Sequence, residues 1–351
     1  MATSLPQLRI GSIALDFPVV QAALSGYSDW AMRVLARRMG APYTLCEVLL
    51  DQFVVQVTRG RKADRFLRVT DEEHPVGAQL MGANPEDFGP AAQRLVAAGF
   101  DVIDINFGCP VKKVLGRCRG GYLLSTPETA MEIVSRVREA VPPQIPVTVK
   151  MRRGIDDTGQ SRDNFFTIFD GAYARGAAAI TVHGRTVMQR YVGPSRWEFL
   201  REAKRHAGTR IVLGSGDLFT PQACLEMLTQ TGVDGVTAAR GAIGNPWIFN
   251  HARLLAEGKP LPPAPTLHEQ QDVIAEHYGL AESLYGAESC GRIMRKFGIK
   301  YSAWHPLGEV VRDAFVRVTN IGEWRQVLDR YYSDDGPGVW PAAHDDLVEC
   351  G

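Results

Sequence analysis

The chain has 351 residues, of which 45% are hydrophobic and 22% charged, and its 39 acids balance its 39 bases. This composition excludes a long disordered chain, a collagen-like repeat and a disulfide scaffold, and the length fits one large α/β barrel or two domains. Zero net charge restricts any nucleic-acid surface to a local basic patch offset by acid elsewhere.

At the N-terminus, Met1–Asp16 has no basic start followed by an apolar core, so no signal peptide is expected. No run approaches the ~18 apolar residues of a membrane span. The chain is therefore expected in the cytoplasm with no membrane partner. Separately, it is expected to be a monomer. Short apolar runs follow at Pro18–Ala23, Tyr43–Val48, Val76–Met81, Val102–Asn106, Val147–Met151, Ala179–His183, Arg210–Gly214 and Gly235–Ala239. Most are rich in Val and Ile and apolar on both faces, as strands buried in a parallel sheet should be. Helical patterns lie between them, at Asp29–Met39, Pro85–Ala98, Pro127–Val141, Asp163–Arg175, Pro221–Thr231 and Pro246–Glu257. Asn84, Thr126 and Thr220 each place a capping residue before a proline at the first helical position. This alternation, over about 240 residues, has the size of a (β/α)8 TIM barrel. An open doubly wound sheet would carry a Gly-rich dinucleotide turn after its first strand, and Ala22-Ala23-Leu24-Ser25-Gly26 is not one.

The barrel is assigned to residues 1–258 and the proline-rich stretch 259–265 to a linker. Beyond it the strand pattern stops. His268–Tyr285, Cys290–Trp304, Leu307–Val318 and Ile321–Tyr332 read as the helices of a small C-terminal helical domain over 266–335. The remainder, 336–351, continues a stretch rich in Gly, Pro and Asp from Ser333 and is expected to fray as a flexible tail.

Chemistry in such a barrel gathers at the C-terminal ends of the strands. Those ends carry Gln79, Asn106 to Pro110, Lys150 to Arg152, His183 to Arg185, Gly214 to Asp217 and Ala239 to Gly241. The small residues of the last two turns let backbone N–H groups approach an anion, and Arg240 adds a fixed cation, so a phosphate site is expected there. Taken alone, the glycines would equally serve tight βα turns. Of the six cysteines, none forms a Cys-x-x-Cys pair and no His spacing completes a metal site, so no metal is expected. Cys46, Cys224 and Cys290 read as buried apolar residues. Cys109 sits at a strand end between Gly108 and Pro110, where a thiol can act as nucleophile or general acid. Cys118, on the same loop, is its competitor. Lys150 can snorkel to solvent and His183 can be a satisfied polar residue; in a rim holding a flavin, both would donate to its electron-rich edge.

Three of these segments, Asn106-Phe-Gly-Cys-Pro-Val-Lys-Lys-Val114, Val182-His-Gly-Arg-Thr186 and Arg240-Gly-Ala-Ile-Gly-Asn-Pro-Trp247, resemble the tRNA-dihydrouridine synthase family. Ala23 to Asp29, Gly77 to Leu80 and Arg292 to Lys296 fit the same pattern. The resemblance implies an FMN-dependent barrel that reduces the C5–C6 bond of uridine in tRNA, with NADPH as electron donor. It implies that Cys109 protonates C5 while hydride passes from the flavin to C6. Lys150 and His183 match flavin- and base-contacting positions, and Gln79 an isoalloxazine contact. Ala23, Leu24 and Ser25 match backbone contacts to the cofactor. Ser215, Gly216, Asp217, Ala239 and Arg240 match the phosphate cradle, and Asn106 and Arg152 positions near the base. The chain departs from the family's usual residues at Ala23-Leu24, Ser215, Cys118-Arg119 and Phe297.

A uracil must leave its stack to reach a flavin in a barrel mouth. The basic surface this needs is expected on the helical domain. From Arg292 to Arg317, the bases Arg292, Arg295, Lys296, Lys300, Arg312 and Arg317 meet only Glu309 and Asp313. Arg292, Arg295 and Lys296 are its substrate-binding candidates, against the alternative of a solvated helix face. Two other functions compete. A flavin oxidoreductase of a small molecule, such as a dihydropyrimidine, would need neither the helical domain nor the basic stretch. A silent RNA-binding protein would need neither Cys109, Lys150 nor His183.

Overall fold

A computed structural model of the chain describes residues 7–57 and 60–342. Its centre is a closed barrel of parallel strands: β1 (Val19–Gln21), β2 (Thr44–Leu45), β3 (Val76–Met81), β4 (Val102–Phe107), β5 (Val147–Arg152), β6 (Ala177–His183), β7 (Val212–Ser215) and β8 (Gly235–Ala238). The ring closes because β8 pairs with β1, and β2 pairs with both β1 and β3. Closure gives every strand of the ring a neighbour on each side. The run expected as one strand over Tyr43–Val48 is divided. After Leu45 the chain turns away from the wall and returns as Leu49–Leu50 beside β3. The bend aims Glu47 at the rim, where it accepts a hydrogen bond from Gly26 N at 2.8 Å.

Two of the expected caps form: Asn84 Oδ1 accepts from Glu86 N and Thr220 Oγ1 from Ala223 N. Thr126 precedes its helix without a side-chain cap bond. The helix expected from Asp163 starts earlier, at Gly159, because Thr158 caps it through Ser161 N. The crossover between β6 and β7 contains a helix, Trp197–Ala207, that the apolar pattern does not announce. Its buried stripe is only Leu200, Ala203 and Ala207, set among charges.

The strands alternate, apart from a register shift between β5 and β6 at Val147/Thr148. Ile103, Ile105 and Phe107 of β4, and Val147, Val149 and Met151 of β5, belong to the main core beneath the helices. The other parity points into the barrel. Near the N-terminal end it is apolar: Val20, Tyr43, Leu45, Val102, Ala179 and Leu213 cluster with Leu8, Ile10 and Leu15. Those last three belong to an antiparallel hairpin, Leu8–Ile10 with Ile13–Leu15, which plugs that end. Toward the C-terminal end the same parity becomes polar, with Asp104, Asn106, Thr148, Lys150, Thr181 and His183. The expectation of strands apolar on both faces is corrected there, because polar groups bond to one another inside the mouth.

Helices Leu267–Tyr285, Ala287–Tyr301, Gly308–Val316 and Ile321–Tyr331 form the C-terminal region. Tyr278 and Phe315 both pack on the Trp324 ring, at centroid distances of 4.9 Å. The region docks on the barrel through Arg38–Glu276 at 2.6 Å, Tyr285 Oη donating to Asp29 Oδ2 at 2.7 Å, and Trp304 Nε1 donating to Gly244 O at 3.0 Å. Within the stretch expected as tail, Leu267 N donates to Gly336 O and Val339 N to Trp304 O, each at 2.9 Å. Trp340 packs on Trp304 and His251. Residues 343–351 of that tail, with Cys350, lie outside the described residues. Among the described residues, no helix is long and apolar enough to cross a membrane.

Candidate active site

One cavity opens at the C-terminal ends of the strands. Ala23, Leu24, Ser25, Gln79, Asn106, Cys109, Lys150, Arg152, His183, Ser215, Gly216, Asp217, Ala239 and Arg240 all line it. Strand register explains the convergence: Asn106 lies opposite Lys150, Arg152 opposite His183, and His183 opposite Ser215. Arg292, Arg295 and Lys296 are not brought to this cavity. They lie on Ala287–Tyr301, where Lys296 Nζ donates to Gly26 O on the barrel rim.

A buried hydrogen-bond chain sets Cys109. Thr148 Oγ1 and Gln79 Nε2 donate to the two oxygens of Asp104 at 2.6 and 2.7 Å. Asn106 Nδ2 donates to Gln79 Oε1 at 2.7 Å. Asn106 Oδ1 then accepts from Gly108 N at 2.9 Å and Cys109 N at 3.0 Å, shaping the turn that presents the thiol. Because Asp104 accepts, both amides are orientated. Burial raises the Asp104 pKa, against the bonds from Thr148 and Gln79. Gly120 and Gly121 bring the far end of the loop back onto Cys109. A Cβ on Gly120 would sit 2.8 Å from Cys109 Cβ, and one on Gly121 would sit 2.9 Å from Cys109 O. Burial also raises the Cys109 pKa, so the thiol stays protonated at neutral pH. Cys118, on the same loop, is exposed.

Cations face this thiol. Burial, then the neighbouring Arg152, brings the Lys150 pKa down to about 8. Arg152 spans two rim loops: its Nε donates to Gly108 O at 2.9 Å and its Nη1 to Thr186 O at 2.8 Å and Arg190 O at 2.7 Å. His183 is buried, and burial with the positive charge of Arg152 and Lys150 drives its pKa well below the usual value. Its imidazole is thus neutral, and its Nε2 has no hydrogen-bond partner among the described residues. A buried orphan nitrogen is costly unless a ligand completes it.

The last two turns interlock. A Cβ on Gly241 would sit 2.0 Å from Leu218 O, and one on Gly216, whose φ is +118°, would sit 2.3 Å from Ser195 Oγ. Glycine is therefore required in both turns by neighbouring atoms. The Arg240 guanidinium lies 4.8 Å from the Tyr191 ring centre and 4.9 Å from that of Phe219. Asp217, expected in the phosphate cradle, has its carboxylate engaged by Arg185 at 2.8 Å and by Ser195 N at 2.7 Å. Asp104, Tyr191 and Phe219 were not among the residues expected from sequence, and Arg185 was named there only as a strand-end residue without a role. Period-2 alternation in β4 would have pointed to Asp104; nothing local marks the two aromatic rings.

The protein-family model described as dihydrouridine synthase (Dus) matches residues 20–334. A probable tRNA-dihydrouridine synthase of Mycobacterium tuberculosis is 35% identical over 334 residues, covering 93% of this chain and 85% of the relative. The tRNA-dihydrouridine synthase B of Pseudomonas aeruginosa is 35% identical over 336 residues, covering 95% and 98%. Among solved structures, histamine dehydrogenase from Rhizobium sp. 4-9 superposes with a TM-score of 0.56 at 16% identity, covering 79% of this chain and 51% of that one. Morphinone reductase superposes with a TM-score of 0.54 at 17% identity, covering 74% and 91%. At such identities these two likenesses speak for the barrel fold alone.

Proposed function

The chain belongs to the dihydrouridine synthase family of oxidoreductases, and from that premise we propose that it reduces uridine to 5,6-dihydrouridine in tRNA, with FMN as cofactor and NADPH as electron donor. The observation that carries this reading is that half-buried Cys109 lines one cavity with Lys150, Arg152 and His183. The residues present fit FMN. The orphan Nε2 of buried His183 is available to a ligand atom. The interlocked turns at Ser215–Asp217 and Ala239–Gly241, with Arg240, suit one phosphate. Among the residues lining the cavity, no second phosphate motif stands beside them for a dinucleotide.

When bound, FMN would supply the hydride that reaches C6. Lys150 and His183 would hold the electron-rich edge of the isoalloxazine, and Gln79 would meet the ring through its remaining amide hydrogen. Asn106 and Arg152 would orient the flipped-out base. Cys109 would hold a proton at Sγ and give it to C5; burial keeps that proton in place until the base arrives. The helical domain over 266–335 would carry much of the RNA affinity.

Purification and assay test the reading. The protein should be yellow, release FMN on denaturation, and form dihydrouridine in unmodified tRNA when given NADPH. A colourless protein that ignores added FMN would sink it.

A further inference from the structure

We propose that Arg185 is a positioning residue of the phosphate cradle: its pairing with Asp217 balances the charge of the carboxylate that stands beside Arg240, so that a phosphate can approach that arginine. The inference rests on the FMN reading above. Arg185 is 4% exposed. Its Nη1 lies 2.8 Å from Asp217 Oδ1, and its Nη2 donates to Oδ2 at 2.9 Å. Its Nε donates to Gly193 O at 2.8 Å. One guanidinium thus ties the loop after β6 to the turn after β7 through its bond to Gly193 O and a close ion pair with Asp217.

The turn has an unusual backbone, one that an asparagine could also adopt. Asp217 is a non-glycine residue with φ of +60°, a conformation that side chains other than Asn and Asp rarely adopt. Ser195 N reaches Asp217 Oδ2 at 2.7 Å, so the carboxylate also anchors the β6 loop. Arg240 Nη2 is 3.5 Å from Asp217 Oδ1. A phosphate drawn to Arg240 would therefore approach a carboxylate. Two anions so close repel, and each competes for Arg240. Arg185 eases the conflict by matching the carboxylate with its own charge, closer to Oδ1 than Arg240 is. It needs no contact with the phosphate to do so.

The test separates charge balance from simple bracing. FMN and riboflavin share the ring, and only FMN has the phosphate. Both are titrated by flavin fluorescence into protein stripped of flavin. Arg185→Met should weaken FMN binding roughly 10- to 100-fold, as an unbalanced carboxylate beside the bound anion would. Riboflavin binding should change little. Asp217→Asn keeps an acceptor for Ser195 N; alone it should bind FMN at least as well as wild type, and added to Arg185→Met it should restore most of the lost FMN affinity. If Arg185→Met does not fold, the Asp217→Asn single variant carries the test, and weaker FMN binding by it overturns the proposal. Equal loss of both flavins, or no recovery in the double variant, also overturns it while leaving the proposed function standing. A wild-type chain that binds neither flavin overturns both.

Discussion

Cys109 and Cys118 share a loop but not an environment. Cys109 is half-buried beside Lys150 and Arg152, with its turn held by Asn106; Cys118 is exposed. Cys109→Ala should lower tRNA reduction by about 10²–10⁴-fold, the usual contribution of a positioned acid. FMN retention and flavin bleaching by NADPH should survive, and Cys118→Ala should cost much less. Dihydrouridine formed per minute reads the first effect and anaerobic bleaching the second; the reverse ranking of the two variants would move the acid to Cys118. Lys150 sets a pH limit. With its pKa at about 8, the ammonium is present below that pH and lost above it. FMN affinity should therefore be flat below that pH and fall as pH rises through it, and Lys150→Arg should remove the fall in a fluorescence titration. The rim residues of both predictions were legible because strand ends in a barrel are the place to look. Asp104 was not, although β4 reads Val-Ile-Asp-Ile-Asn. The alternation marks Asp104 as inward-facing, but its part in the site shows only once Thr148 and Gln79 are seen to donate to it.

Elements were legible where periodicity was strong and obscure where a tertiary contact decided them. Pro221–Thr231 agrees at both ends because Thr220 and Pro221 start it and Gly232, at φ +74°, stops it. The helix Trp197–Ala207 escaped because charges surround its three buried residues, Leu200, Ala203 and Ala207. The break after Leu45 is accompanied by the bond from Gly26 N to Glu47 across the rim, which no local pattern announces. The turn after β8 shows the same dependence. In sequence its Gly241 fits an anion site or a plain tight turn equally well, yet Leu218 O and Phe219 Cα leave no room for a side chain. Both obstacles are backbone, so one turn must move. Gly241→Ala should cost roughly 1–3 kcal/mol by overpacking and should loosen FMN as the two turns separate. A lower Tm without FMN and less flavin after gel filtration check this; an unchanged value for both would mean that the turns are not coupled.

Across the whole molecule, sequence marked where the helical region lies but not how it docks. Tyr285 and Asp29 are 256 positions apart, and their 2.7 Å bond becomes visible only in three dimensions. Docking also divides the basic stretch. Lys296 Nζ donates to Gly26 O and lies 4.9 Å from the Tyr27 ring centre, so it joins helix to barrel rim. Arg292, on the same helix, is exposed, and Arg295 is partly so. The two arginines are therefore the better test of RNA binding by this face. Arg292→Ala with Arg295→Ala should weaken tRNA binding and reduce the slope of log affinity against log salt by about 1 for each phosphate no longer neutralised. NADPH oxidation without RNA should be unchanged, because neither residue lines the cavity. Lys296→Ala should behave differently: by freeing the rim loop it should lower kcat as well as raise KM for tRNA. Filter binding across a salt series, with steady-state kinetics, distinguishes the two. Should the double variant keep both its affinity and its salt slope, the arginines form only a solvated face, and the region's contribution would be the rim contact through Lys296.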